Sequence, residues 1–269
     1  MLHEKIEVKH KQDVAMLHTY ILDNSSEIDP NRKRPMVVVC PGGGYEFTSD
    51  REAEPIAIQL NAMGFHASVL RYSVKPTEFP SALCQLAKTV WLIRKNTDKW
   101  NVDSNKIILM GFSAGGHLAA SLGVFWNRDP LPKILDVQPE QIKPNGLILS
   151  YPVITSGEHA HQGSFRALLG KKLADKALLN LMSLENQVTS HTPPTFLWHT
   201  FTDTAVPVEN SLLFANALAK HDVSLEMHIY PRGAHGLSLG TEETMVSAKN
   251  LQSEVVNWIE MAGRWIKGL

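Results

Sequence analysis

The feature that most constrains the fold is a series of short, nearly continuous apolar runs. Residues 36–40 read MVVVC, and later runs read KIILMG, NGLILSYP and TFLWHT. Such runs, bounded by turn residues, are typical of strands buried on both faces, whereas a strand with one face in water alternates apolar and polar residues. Amphipathic helical patterns separate the runs. The sequence therefore predicts an α/β protein with a mostly parallel sheet and helices on both faces.

The remaining strand patterns extend this sheet to about eight strands. KIEVKH and AMLHTYIL alternate apolar and polar residues and predict an antiparallel N-terminal edge, and FHASVLRYS and VSLEMHIYP predict two more strands. Helices are predicted over DREAEPIAIQLNAMG, SALCQLAKTVWLIRKN, AGGHLAASLGVF and VENSLLFANALAKH, with a long helix over 242–267. The polar, irregular stretch 155–194 is interpreted as a small cap-like insertion. We therefore expect residues 1–269 to form a single domain.

Charge and targeting signals exclude several functional classes. The 269 residues include 26 Lys and Arg against 27 Asp and Glu, so neither nucleic acid nor an anionic membrane is an expected partner. No apolar run approaches the roughly 18 residues of a membrane span, and MLHEKIEVKH lacks the apolar core of a signal peptide. We therefore expect a cytoplasmic protein. Its two cysteines, Cys40 and Cys84, are expected to be free thiols.

Ser113 lies at a turn that is typical of a catalytic serine. It follows the strand KIILM and precedes a helix, with Gly111 and Gly115 in a G-x-S-x-G spacing. A turn tight enough to expose the hydroxyl brings strand and helix backbones together, so only small side chains fit two residues to either side. The helix N-terminus also favours negative charge nearby. A simple N-cap serine is the alternative, and the strand–turn–helix setting favours a nucleophile.

A nucleophilic serine needs a base, and the base needs an acid to orient it. Asp203 follows the strand TFLWHT, and His235 follows the strand VSLEMHIYP. Both therefore lie at the carboxyl edge of the sheet, where functional groups of parallel sheets collect. The order Ser113, Asp203, His235 is the one that accompanies a G-x-S-x-G turn on such a sheet.

Competing residues fit these roles less well. Glu209 begins a helix, where a carboxylate is favourable without any catalytic role, and it is kept as a second candidate for the acid. His117 lies one helical turn after Ser113 and is expected to pack rather than react. His199 and His228 lie within strand patterns and are interpreted as core or edge residues. The EHAH stretch at 158–161 has no matching third ligand, so no metal and no other cofactor is expected.

The stretch CPGGGYEF supplies a candidate oxyanion hole. It follows the strand MVVVC, and its successive glycines expose backbone N–H groups without side-chain obstruction. Gly43 and Gly44 are the expected donors, together with the N–H of Ala114, the residue after the nucleophile. A phosphate-binding loop is excluded because no lysine followed by serine or threonine comes after the glycines.

Several of these stretches together resemble the α/β-hydrolase superfamily. They are PGGGY, GFSAGGHLAA, PPTFLWHTFTDTAVPVENSLLFANAL and YPRGAHGLSLG, all within residues 36–240. The chain looks most similar to small esterases of the acetyl-xylan-esterase and hormone-sensitive-lipase-like groups. Pro41 stands where lipase-like members usually have histidine, which favours the sugar-esterase group.

The resemblance implies a serine carboxylesterase. Ser113 is the implied nucleophile, His235 the general base and acid, and Asp203 the orienting acid. Because no extended apolar lid is visible, short acyl groups such as acetyl are expected on the substrate. The expected partner is a small-molecule ester, with acetylated sugars or xylo-oligosaccharides as one class. Tyr45 is a candidate for stacking on a sugar ring, as are Trp126 and Trp198, and each of the three also fits a core position.

Two other functions stay open. An amidase, peptidase or formamidase can use the same serine turn and glycine loop, although a peptidase of this kind usually carries a large extra domain. A catalytically silent binding protein typically lacks a triad member, and here all three are present in order. The oligomeric state is left open, with a homodimer as one option.

Overall fold

A single eight-stranded sheet runs through the computed structural model, which describes all 269 residues. The strands are β1 (Lys5–His10), β2 (Asp13–Tyr20), β3 (Arg34–Cys40), β4 (His66–Arg71), β5 (Val102–Phe112), β6 (Gly146–Ser150), β7 (Thr195–Thr200) and β8 (Leu225–Tyr230). Their spatial order is β1-β2-β4-β3-β5-β6-β7-β8. Only the β1–β2 and β2–β4 pairs are antiparallel, and all other neighbours are parallel. The predicted parallel sheet with an antiparallel N-terminal edge is confirmed.

The strand β3 shows why its sequence is apolar throughout. Met36, Val38 and Cys40 join the larger apolar cluster, while Val37 and Val39 join the smaller one. All five residues are fully buried. Because successive side chains point to opposite faces of a sheet, a strand covered on both sides needs apolar residues at every position.

Eight helices cover the two faces. They are α1 (Glu54–Ala62), α2 (Ser81–Lys95), α3 (Ala114–Phe125), α4 (Leu131–Leu135), α5 (Gln162–Leu169), α6 (Lys176–Leu181), α7 (Glu209–Lys220) and α8 (Trp258–Gly268). The larger cluster lies under α2, α3 and α7, and the smaller one under α1 and α8. None of these helices combines the length and apolar character that crossing a membrane requires.

Two helix predictions were wrong in extent. The tail forms short 3-10 turns at Glu242–Thr244 and Ala248–Asn250, and a helix begins only at Trp258. Residues 245–249 are exposed, so no apolar face is available there to dock a helix on the sheet. The helix predicted over 50–64 is divided into a 3-10 turn at Asp50–Glu52 and α1, with Pro55 in the first turn of α1. This break turns Glu52 into the interior.

The segment 155–194, between β6 and β7, contains α5, α6 and two 3-10 turns. Its apolar residues Phe165, Met182 and Leu184 are buried in the larger cluster, so it packs on the same core as α3. We continue to interpret it as an insertion within a single domain. Cys40 and Cys84 are free and buried, as predicted.

Candidate active site

Ser113 connects β5 to α3 through a single strained residue. Its φ is +53° and its ψ is −119°, a conformation that side-chain-bearing residues rarely adopt. Neighbouring backbone holds it there: its N–H donates to the Ser150 carbonyl at 3.0 Å, and its carbonyl accepts from His117 and Val153 N–H groups at 3.1 and 3.0 Å. The residue is 7% exposed, so only a small part of it reaches the surface.

The glycines around Ser113 are required by close backbone contacts. A Cβ added to Gly111 would lie 2.3 Å from the Gly115 carbonyl oxygen, and one added to Gly115 would lie 2.1 Å from the Cys40 carbonyl oxygen. Both distances are far inside van der Waals contact. Gly115 therefore lets the start of α3 press against the end of β3, which brings Ser113 beside the glycine loop.

Three side chains from separate loops form one chain of hydrogen bonds. Ser113 Oγ lies 2.8 Å from His235 Nε2, and His235 Nδ1 lies 2.6 Å from Asp203 Oδ2. Since a carboxylate accepts, Nδ1 carries the proton, and the Nε2 lone pair accepts the serine O–H. The three residues predicted from the sequence are thus brought together in one site, with the imidazole 23% exposed and the carboxylate fully buried.

Asp203 is surrounded by donors. Its Oδ1 accepts from the backbone N–H groups of Ala205 and Val206, both at 3.0 Å, and its Oδ2 accepts from His235. Burial by itself raises the pKa of this carboxyl, but hydrogen bonds from His199 and His235 outweigh it and hold the pKa well below its usual range. Asp203 therefore remains an acceptor for the His235 Nδ1–H.

His199 is part of this site, which its strand pattern did not reveal. It is fully buried, and its Nε2 donates to the Val206 carbonyl at 3.0 Å while lying 3.4 Å from Asp203 Oδ2. Its Nδ1 accepts from the Ser211 hydroxyl at 2.7 Å, which fixes the tautomer. The only sequence signal is its position four residues before Asp203 at the end of β7.

The glycine loop presents unpaired donors beside Ser113. Gly43 and Gly44 have φ of +130° and +66°, and neither N–H has a hydrogen-bond acceptor within the protein. Ala114 is the first residue of α3, where a helical N–H has no intrahelical acceptor. A Cβ on Gly42 would lie 3.0 Å from Ser113 Cβ, so the loop directly adjoins the serine. The three N–H groups named from the sequence remain our candidates for the oxyanion hole.

Tyr45 does not offer its ring to a ligand, which corrects the expectation that it binds substrate. It is 3% exposed, and its hydroxyl donates to His117 Nδ1 at 2.9 Å. The buried ring also packs at a steep angle on Tyr72, so its faces are used within the core. Trp126 and Trp198 are buried as well.

Phe47 is the aromatic residue that lies at the surface beside the glycines. It is 60% exposed, and its ring Cδ2 lies 3.1 Å from the position of a Cβ built on Gly43. No sequence signal separated it from Tyr45, because both follow the same glycine run and only the backbone path decides which ring turns outward.

Comparison with known families identifies the group to which these features belong. A family model described as BD-FAE matches residues 22–218. Endo-1,4-beta-xylanase B of Butyrivibrio fibrisolvens is 42% identical over 217 residues, covering 78% of this chain and 34% of that protein. An acetylxylan esterase of Xylanibacter ruminicola is 31% identical over 210 residues, covering 76% of this chain and 41% of that protein. The chain thus spans well under half the length of these two relatives.

Solved structures match over nearly their full length. An acetyl ester-xyloside bifunctional hydrolase from Caldicellulosiruptor lactoaceticus has a TM-score of 0.84 at 38% identity, covering 98% of this chain and 96% of that one. The carboxylesterase Cest-2923 from Lactobacillus plantarum has a TM-score of 0.88 at 30% identity, covering 100% and 98%.

Proposed function

This chain belongs to the BD-FAE family and is a carboxylic ester hydrolase with the α/β-hydrolase fold, and from that premise we propose that Ser113, His235 and Asp203 hydrolyse short-chain, chiefly acetyl, esters of sugars. The observation that carries the proposal is the unbroken hydrogen-bond chain from Ser113 Oγ through the imidazole to the buried carboxylate.

The geometry supports acyl transfer through a covalent intermediate. As Ser113 Oγ attacks the ester carbonyl carbon, His235 Nε2 takes the hydroxyl proton, and the carbonyl oxygen becomes negative. The N–H groups of Gly43, Gly44 and Ala114 are the donors proposed to stabilise that oxygen. When the C–O bond breaks, His235 returns its proton to the leaving alcohol.

The second half repeats these steps with water. His235 takes a proton from water, the resulting hydroxide attacks the acyl-serine carbonyl, and Ser113 leaves with the proton from the imidazolium. Asp203 stays ionised throughout and stabilises the imidazolium that forms in each half. No cofactor enters this mechanism.

The acetyl-sugar part of the proposal is supported by the relatives and by one surface residue. Two matched proteins carry acetyl ester or acetylxylan in their names. The exposed Phe47 ring stands next to the proposed oxyanion donors, and aromatic faces commonly stack on sugar rings at such rims.

A panel of substrates tests the proposal. We expect kcat/KM to fall at least about ten-fold from p-nitrophenyl acetate to p-nitrophenyl octanoate, since a site built for acetyl cannot place a long chain. We also expect acetate release from acetylated xylo-oligosaccharides. An aminoacyl anilide and a formyl amide, run beside them, should be hydrolysed far more slowly.

The panel contradicts the proposal in two distinct ways. Activity that rises with acyl length would overturn the acetyl specificity and leave an esterase of different selectivity. Faster turnover of the anilide or the formyl amide than of the acetate would favour an amidase or formamidase.

A further inference from the structure

Glu52 is a buried carboxylate that the triad does not use. It ends the 3-10 turn at Asp50–Glu52 and is 3% exposed. A carboxylate in such a position is unfavourable unless both oxygens are hydrogen-bonded, so its partners are informative.

One oxygen of Glu52 holds the glycine loop. Oε2 accepts the Gly42 N–H at 2.8 Å, a buried hydrogen bond. Gly42 precedes the two glycines with unpaired N–H groups, and the position of its missing Cβ lies 2.7 Å from this Oε2 and 3.0 Å from Ser113 Cβ. Gly42 therefore lies between Glu52 and Ser113, and the carboxylate holds the loop at the point where the loop adjoins the serine.

The other oxygen reaches the histidine loop through Tyr151. Oε1 accepts the Tyr151 hydroxyl at 2.7 Å, and that hydroxyl oxygen accepts the Ser238 N–H at 2.9 Å. The Tyr151 ring also packs edge-on against His235, with 5.1 Å between centroids. Burial raises the pKa of Tyr151 well above its ordinary value, and the charge of Glu52 adds to this, so the phenol keeps its proton.

The neighbouring Arg51 adds hydrogen bonds between the turn at 50–52 and the loop that carries His235. Its Nη2 donates to the carbonyl of Gly236, the residue after His235, at 2.8 Å, and its Nε donates to the Thr244 carbonyl. Its own carbonyl accepts the Ser238 hydroxyl at 2.6 Å. The turn at 50–52 thus contacts the loop that carries His235 at several points.

We propose that Glu52 is a positioning residue that fixes the oxyanion loop relative to the His235 loop, through Gly42 on one side and Tyr151 on the other. The inference rests on the proposed triad and oxyanion hole. Its consequence is kinetic: loss of the bridge lets the donors drift from the developing oxyanion, which weakens binding of the transition state more than binding of the ester.

The test compares Glu52→Gln and Tyr151→Phe with wild type on p-nitrophenyl acetate, with active sites counted by a fluorophosphonate. With its Oε1 toward the Gly42 N–H, the glutamine turns its NH₂ toward Tyr151, so the Tyr151 O–H loses its carboxylate acceptor and can only accept from the amide. We expect Glu52→Gln to lower kcat per active site by about 10- to 100-fold, with KM within about two-fold. Tyr151→Phe should also lower kcat, and the double variant should be no worse than about the poorer single variant, since both break one bridge.

Matched controls separate this inference from the triad. Glu54→Gln makes the same chemical change at an exposed carboxylate two residues away and should leave kcat unchanged. Ser113→Ala should be inactive, and activity in that variant would refute the proposed triad itself. If Ser113→Ala is inactive while Glu52→Gln keeps kcat within two-fold at a lower Tm, Glu52 is only structural and the inference is wrong. If Glu52→Gln does not fold, Tyr151→Phe decides, because a wild-type kcat there overturns the bridge.

Discussion

Asp203 shows how much a single residue's surroundings set its role. Two backbone N–H groups fix one oxygen, while the other faces His235 and His199. With its rotamer fixed in this way, the carboxylate dictates both the tautomer and the orientation of the His235 ring.

Replacing Asp203 tests that role. Asp203→Asn should lower kcat for p-nitrophenyl acetate by about a thousand-fold or more, with a much smaller change in KM. The reason is that the amide NH₂ can face Nδ1 only as a donor, which moves the imidazole proton to Nε2, where it blocks acceptance of the serine proton. Asp222→Asn, an exposed carboxylate on the loop before β8, is the matched control. A nearly normal kcat would mean that another residue orients His235, with Glu209 tested next.

Those residues of the candidate site that directly follow a strand could be predicted from the sequence. Ser113, Asp203 and His235 lie at strand ends in a fixed chain order. The run of three successive glycines after β3 indicates the candidate oxyanion loop directly from the sequence. Glu52 and Tyr151 could not be found in this way. Glu52 lies in what reads as the exposed start of a helix, and only its tertiary contacts turn it inward.

Among the elements, the His117 side chain links α3 to the segment 155–194 and to the residue that follows the glycine run. His117 Nε2 donates to the Met182 carbonyl of the segment 155–194 at 2.9 Å, and Nδ1 accepts from the Tyr45 hydroxyl. The hydrogen bond from Tyr45 requires the neutral ring because a protonated Nδ1 cannot accept, whereas Nε2–H donates to Met182 in either state. Burial lowers the pKa of His117 to about 4, although the bond to Met182 raises it slightly.

This depressed pKa predicts an acid-sensitive fold. In the unfolded chain the imidazole has an ordinary pKa near 6.5, so below that pH protons bind the unfolded state preferentially. The free energy of unfolding should therefore fall as pH decreases from 6.5 to 4, with His117 contributing on the order of 3 kcal/mol. Urea unfolding at pH 7, 6, 5 and 4 measures this, and His117→Gln should show a shallower pH dependence than wild type. Equal slopes for the two proteins would contradict the assignment.

The buried strands were predicted from the sequence more accurately than the C-terminal tail. The strands predicted from continuous apolar runs were correct, because burial on both faces requires an apolar residue at every position. The helix predicted over the tail was wrong because individual contacts without periodicity hold residues 242–257. Examples are the hydrogen bonds from Arg51 to the Thr244 carbonyl and from the Leu239 N–H to Thr244 Oγ1. Helix α8 forms only where Trp258, Ala262 and Ile266 supply a buried stripe.

At the scale of the whole molecule, parallel strands bring distant parts of the chain to one edge. Ser113 and His235 are 122 residues apart in sequence, yet their side chains share a hydrogen bond. The fold expected from the sequence is confirmed by the sheet and by the matched structures, and the names of the matched esterases support the expected ester-hydrolase class. The sugar specificity stays a proposal, since the matches cover only 34% and 41% of the lengths of the xylanase and the acetylxylan esterase named above.

If Ser113 is an activated nucleophile, it should react covalently with a serine-directed reagent. A fluorophosphonate incubated with the folded protein should add one label per chain, and peptide mass mapping should place it on Ser113. Ser113→Ala should take up none, whereas Ser104→Ala, an exposed serine in β5, should label as wild type. A wild-type protein that takes up no label, or takes it up on another residue, would show that Ser113 is not the activated nucleophile.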